Sequence, residues 1–154
     1  MSVEVISLKR EIGRVEAILR SGARIRLRIR GTSMLPLLDE KTDAVLLTAP
    51  TRIRRGDVVL YRRAGGDVAL HRIHAITASG CALLGDHQWI VETGIAAEQI
   101  IGVVERVEKK RFGFSVRHPL YRAYVRLIRR KFFRKALLKL VSIAASRKGS
   151  HERT

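Results

Sequence analysis

The chain has 154 residues, 31 Lys and Arg against 14 Asp and Glu, and a formal net charge of +17. An apolar fraction of 46% excludes a wholly disordered chain, and the single cysteine, Cys81, excludes an intrachain disulfide and a Cys-rich zinc module. No apolar run approaches the roughly 18 residues of a membrane-crossing helix. MSVEVISLKREIGR mixes acids and bases where a secretory signal would be apolar, so the expected compartment is the cytoplasm.

The first segment reads as a helix over residues 1–22. Leu8, Ile12, Val15 and Leu19 form one apolar stripe, and Ser21-Gly22 supplies the stop. After Gly22 the period changes from 3.6 to 2: Ile25, Leu27 and Ile29 alternate with Arg24, Arg26, Arg28 and Arg30 in a half-buried strand. Further strands are expected at Ala44–Thr48, Asp57–Arg62, Val68–Ile76, Cys81–Leu84 and Ile100–Val107. Turn signals separate them, among them Ala49-Pro50, Gly65-Gly66 and Gly85-Asp86. This predicts a mainly β fold, a compact sheet domain over 23–110.

The charge is uneven along the chain. Residues 1–105 carry a net +3 and residues 106–154 a net +14. From Pro119 the period is helical again, with Leu120, Tyr124, Leu127 and Ile128 in one apolar set and Phe133, Leu137, Leu140 and Val141 in another. Residues 111–146 are therefore expected to form a basic amphipathic helical appendage, and 147–154 a disordered tail.

Three stretches could carry chemistry. Gly31-Thr32-Ser33 directly follows the alternating strand, which leaves a hydroxyl rigidly held and accessible. His71 lies in Val68-Ala69-Leu70-His71-Arg72-Ile73-His74, and Asp86 in Leu84-Gly85-Asp86-His87. Ser33, His71 and Asp86 thus come from three strands or strand ends, as a candidate nucleophile, base and orienting acid. His74 reads as a surface or packing residue, His87 as solvent-facing and Trp89 as a packing residue near the site. Asp43 and Asp57 read as turn caps, and Cys81 as a buried apolar residue. The histidines lack a fixed carboxylate or thiolate partner, so neither a metal nor a cofactor is expected.

The ordered set GTSMLPLL, RRGDVVLY, VALHRI, LLGDHQ and IIGVVERV, from about Ile25 to Val107, resembles the type I signal peptidase and LexA-like serine peptidase superfamily. His71 stands where many members have a lysine base. That is similar to the Ser-His-Asp subgroup of endoplasmic-reticulum and archaeal signal peptidases, here without their membrane anchor. The resemblance implies a coiled β core and a serine endopeptidase. In it Ser33 attacks, His71 moves the proton, Asp86 orients the imidazole and the Ser33 N–H binds the oxyanion. Gly31 occupies the position where signal peptidases often have a hydroxyl, as in LexA-like members, so the hole needs another donor. Glu92, downstream of the Gly-Asp pair, is a substitute candidate for the acid.

The expected partner is a precursor or leader peptide bound as an extended strand. The basic appendage could rest on an anionic membrane as a peripheral contact, whereas nucleic acid is disfavoured. The competing function is a self-processing or catalytically inactive regulator or adaptor that binds membrane surface or nucleic acid through the same helix.

Overall fold

The structure, a computed structural model, describes residues 8–149. The first residues of the expected N-terminal helix and the end of the expected tail, 150–154, lie outside the described residues. The chain divides into two units between His118 and Pro119.

The first unit opens with α1 (Leu8–Arg20), which ends as expected at Ser21-Gly22, with the Gly22 N–H donating to the Leu19 carbonyl at 3.0 Å. Val15 and Leu19 are its buried residues. Removing each from water contributes at most about 1.5–3 kcal/mol.

Eight strands follow: β1 (Ile25–Arg28), β2 (Ala44–Thr48), β3 (Val58–Arg62), β4 (Val68–Thr77), β5 (Gly80–Leu84), β6 (Glu92–Ile95), β7 (Ile100–Glu108) and β8 (Gly113–Ser115). They form one antiparallel sheet in the order β1-β2-β7-β3-β4-β5-β6, with β8 added beside the second half of β7. The mainly β expectation holds. Because β8 pairs with β7, the sheet unit continues past residue 110 to His118.

Alternation decides the faces. In β1, Ile25 and Leu27 are buried while the arginines between them reach across β2 to β7: Arg24 to Glu105 and Arg26 to Glu108, each at 2.5 Å. These pairs are exposed and contribute little individually. On one face of the central strands, Val59, Tyr61, Ile73, Cys81, Leu83, Ile95 and Ile100 form a buried cluster.

The pairing of β3 with β4 sets Val59 opposite His71 and Tyr61 opposite Ala69. Tyr61 and His71 therefore share a face, and Arg72 points to the other. A register shift between Ile73 and Ala75 makes His74 the extra residue of a bulge.

The second unit consists of α2 (Pro119–Ile128) and α3 (Lys131–Gly149), which contact one another. The appendage is two helices rather than one, and α3 runs through residues 147–149, where a tail was expected. Among the described residues no helix is long and apolar enough to cross a membrane.

Candidate active site

Ser33 lies in the turn that leaves β1. Gly31 enters that turn at φ +86°, a conformation that strains any residue with a Cβ. The turn is pinned by buried Met34, Leu37 and Leu38 and by Leu38 N–H donating to the Met34 carbonyl at 2.9 Å. Ser33 itself is half-buried. Among the described residues, its N–H and hydroxyl make no hydrogen bond. The Gly31 N–H, by contrast, donates to Glu40 Oε2 at 2.6 Å, so this amide is already engaged and is not a ready oxyanion donor.

His71 is 1% exposed on β4. Its Nδ1 lies 2.9 Å from the Tyr61 hydroxyl and 3.4 Å from Glu92 Oε1. Glu92, the first residue of β6, is held by both donors of Arg63, Nε at 2.9 Å and Nη2 at 2.5 Å. The Tyr61 hydroxyl also neighbours the Glu92 carboxylate and lowers its pKa. The Arg63 guanidinium lies over the Tyr61 ring, 5.9 Å from its centroid.

Charge states follow from these contacts. The Arg63 hydrogen bond, with help from Tyr61, holds Glu92 below the usual carboxylate range against the opposing effect of burial. Burial and then Glu92 push the Tyr61 phenol up. Burial lowers the His71 pKa from 6.5; Glu92 opposes this and Arg63 reinforces it. At neutral pH the group is thus Arg63⁺, Glu92⁻, neutral Tyr61 and neutral His71.

An ionised carboxylate only accepts, and Glu92 Oε1 lies 3.4 Å from Nδ1, which favours the proton on that nitrogen with the Tyr61 oxygen as its acceptor. The imidazole proton is thereby assigned to Nδ1, which leaves Nε2 as a lone-pair acceptor.

Asp86 is placed differently from the sequence expectation. Its two oxygens receive Arg72 Nε at 2.7 Å and Arg72 Nη2 at 2.5 Å, in a buried pair whose guanidinium also donates to the Gly56 carbonyl at 2.8 Å. The reason is the alternation of β4: Arg72 follows His71 and projects to the opposite face. The field of Asp86 still raises the His71 pKa, but its contribution ranks below that of Glu92. The acid beside Nδ1 is Glu92, the substitute candidate.

The Gly85-Asp86 turn has another task. A Cβ on Gly85 would lie 2.7 Å from the Ser33 carbonyl oxygen, and that oxygen accepts the His87 N–H at 2.8 Å. The turn therefore grips the backbone of the candidate nucleophile directly.

Ser33 and His71 line one cleft of about 550 Å³. Leu27, Ile29, Met34, Leu60 and Leu70 give it an apolar wall, and Arg28, Arg30, Arg63, Asp67 and Gln88 supply polar groups. Two backbone edges flank it. β1 is the terminal strand of the sheet, and β4 pairs with β5 only from Arg72 onward, so Val68–His71 have β3 on one side alone. Among the described residues no hydrogen bond joins the Ser33 hydroxyl to His71, a bond that is often long or unformed in unliganded sites.

The remaining residues separate from the site. Trp89 is 62% exposed instead of packed. The His74 carbonyl accepts Arg55 Nε at 2.8 Å. Among the described residues His87 Nδ1 is buried without a hydrogen-bond partner, contrary to a solvent-facing ring. Cys81 is buried in the core cluster, and Asp57 caps its turn through the Arg54 N–H at 2.7 Å. Among the described residues no three His, Cys, Asp or Glu side chains are grouped to hold a metal ion.

Sequence reading missed Tyr61 and Arg63. The signal was present in the hairpin: a turn at Gly65-Gly66 that pairs Val59 with His71 puts Tyr61 on the histidine's face. No protein-family model, no curated protein and no solved structure matches the chain.

Proposed function

We propose that this protein is a serine endopeptidase of the signal peptidase and LexA-like kind, acting on a peptide bound as an extended strand in the cleft between 27–31 and 68–71. The observation that carries this reading is the shared cleft of Ser33 and a neutral, buried His71 whose Nδ1 side is already satisfied by Tyr61 and Glu92.

In the proposed reaction His71 Nε2 takes the Ser33 proton as Oγ attacks the scissile carbonyl. The Ser33 N–H meets the developing oxyanion. One such donor is worth roughly 10²–10³ in rate. Tyr61 and Glu92 stabilise the imidazolium, which then protonates the departing amine. Water, deprotonated by the regenerated imidazole, releases the acyl group and restores Ser33. Peptide backbone would pair with the edges of β1 and β4, and the apolar wall would receive its side chains.

A second reading is favoured by one observation, the absence of a Ser33–His71 hydrogen bond among the described residues. On that reading the protein is an adaptor that keeps the fold without turnover, or cleaves only itself.

The two are separated by labelling intact protein with a fluorophosphonate and locating the adduct by mass spectrometry. The peptidase reading expects an adduct on Ser33 that is lost in Ser33→Ala and His71→Ala. An adduct that forms at the same rate in His71→Ala would defeat it.

A further inference from the structure

The second unit carries a feature that the peptidase reading does not use. Along α2, Tyr121 and Ile128 are buried, and Leu120 and Leu127 stand 75% and 46% exposed beside them. Leu120, Tyr124 and Leu127 follow i, i+4, i+7 spacing and so lie in one row, while Arg122 and Arg126 project on the opposite side. The apolar face of this helix is thus wider than the part that packing covers.

Helix α3 also leaves apolar side chains exposed, although it buries Arg134 together with Leu138. Phe133, Leu140 and Ile143 are exposed, Phe133 and Leu140 at i, i+7, and Lys135 and Lys139 are the exposed bases of the adjoining face. Half of the large apolar side chains left exposed among the described residues lie on these two helices. The sequence from Lys109 to His151 contains no Asp or Glu, and the last third of the chain carries a net +14.

Exposed apolar rows flanked by bases, on two helices that carry no acid of their own, match the boundary of an anionic bilayer. Leucine and phenylalanine enter the acyl region there, and lysine and arginine reach the headgroups. A phosphate backbone would use the bases but offers nothing to Leu120, Leu127 or Leu140. An acidic protein groove would meet the charge but would leave two separate apolar rows to cover. We infer that α2 and α3 are an interfacial membrane anchor that binds anionic lipid through the exposed rows Leu120–Leu127 and Phe133–Leu140. This inference stands independently of the peptidase reading.

The test sediments full-length protein with vesicles of phosphatidylcholine alone and of phosphatidylcholine mixed with phosphatidylglycerol, with a DNA duplex titrated in parallel. Binding is expected to the mixed vesicles and to be about tenfold weaker for Leu127→Glu/Leu140→Glu, both exposed positions whose replacement spares the core. Equal binding by that variant would overturn the inference by reducing the contact to charge alone. Binding to the duplex without binding to vesicles would replace it with a nucleic-acid interface.

A second measurement does not depend on those variants. In Trp89→Phe/Leu127→Trp, indole emission should shift to the blue on the mixed vesicles and be quenched by brominated lipid. Emission that stays unshifted while the protein sediments would also overturn the inference.

Discussion

Tyr61 and His71 meet across the β3–β4 hairpin, hydroxyl to Nδ1 at 2.9 Å, with their rings tilted at 48° and centroids 5.7 Å apart. With the Glu92 carboxylate 3.4 Å from the same nitrogen, the contact favours the tautomer protonated at Nδ1. Tyr61→Phe removes the acceptor and leaves a buried Nδ1–H to find Glu92 across 3.4 Å. Under the proposed mechanism, Ser33 labelling by fluorophosphonate should slow by roughly ten- to a hundredfold, the size of an impaired general base. Thermal unfolding should show the variant folded. Labelling at the parent rate would remove Tyr61 from the mechanism.

The pH profile has a definite sign. In the proposed mechanism the base works only when neutral, so labelling should rise with pH through the His71 pKa. Burial places that midpoint below the ordinary 6.5. Glu92 raises the His71 pKa, so Glu92→Gln should slow labelling and move the midpoint further down. A midpoint that moves upward in Glu92→Gln would contradict the arrangement.

The same depressed pKa affects folding. The unfolded histidine binds protons that the folded one resists. This group's contribution to stability is therefore complete above pH 6.5 and is lost as pH falls toward the folded pKa. Denaturant titrations at stepped pH should show stability declining below 6.5, with a smaller decline in His71→Gln.

Asp86 and Glu92 should separate by experiment. Asp86→Ala leaves Arg72 buried without its carboxylate and is expected to cost about 3–5 kcal/mol of stability. Glu92→Gln touches a partly exposed pair and should cost far less while slowing labelling. Chemical denaturation of both variants beside labelling checks the division. A stable Asp86→Ala would show that the Arg72 pair does not hold the fold.

Gly85→Ala tests the grip on the Ser33 turn. The new methyl would approach the Ser33 carbonyl oxygen to 2.7 Å, and backbone would have to shift. A cost of roughly 1–3 kcal/mol is expected, with a marked fall in Ser33 labelling. Unchanged labelling would mean that the turn accommodates the methyl elsewhere.

Much of the fold was legible because its strands obey the period of two. Ile25 and Leu27 against their arginines, and the runs at Ala44, Val58 and Val68, gave elements within a residue or two of those observed. Two strands were illegible for a physical reason. Glu92-Thr93-Gly94-Ile95 has a single buried residue and a glycine, and Gly113-Phe114-Ser115 is too short to alternate; both are strands because a neighbour supplies the pairing.

Of the candidate site, the sequence disclosed where Ser33 and His71 sit, after and within strands, and the structure has both lining one cleft. The placement of the acid was not legible, because Gly-Asp beside a strand looks the same whether the carboxylate serves His71 or Arg72. Only the opposite projection of those two adjacent residues separates the cases. The network of Tyr61, Glu92 and Arg63 depends on register, which spacing along one strand does not disclose.

The His87 N–H bond to the Ser33 carbonyl, beside a Gly85 that has no room for a Cβ, makes two turns, far apart in the chain, into one mechanical part. Residues 31–38 and 85–88 cannot change length or shape independently, since either would push on the other through main-chain atoms with no side chain to yield. Attempts to alter what enters the cleft by loop exchange would have to transplant both segments together. Natural variation in one should likewise be accompanied by variation in the other.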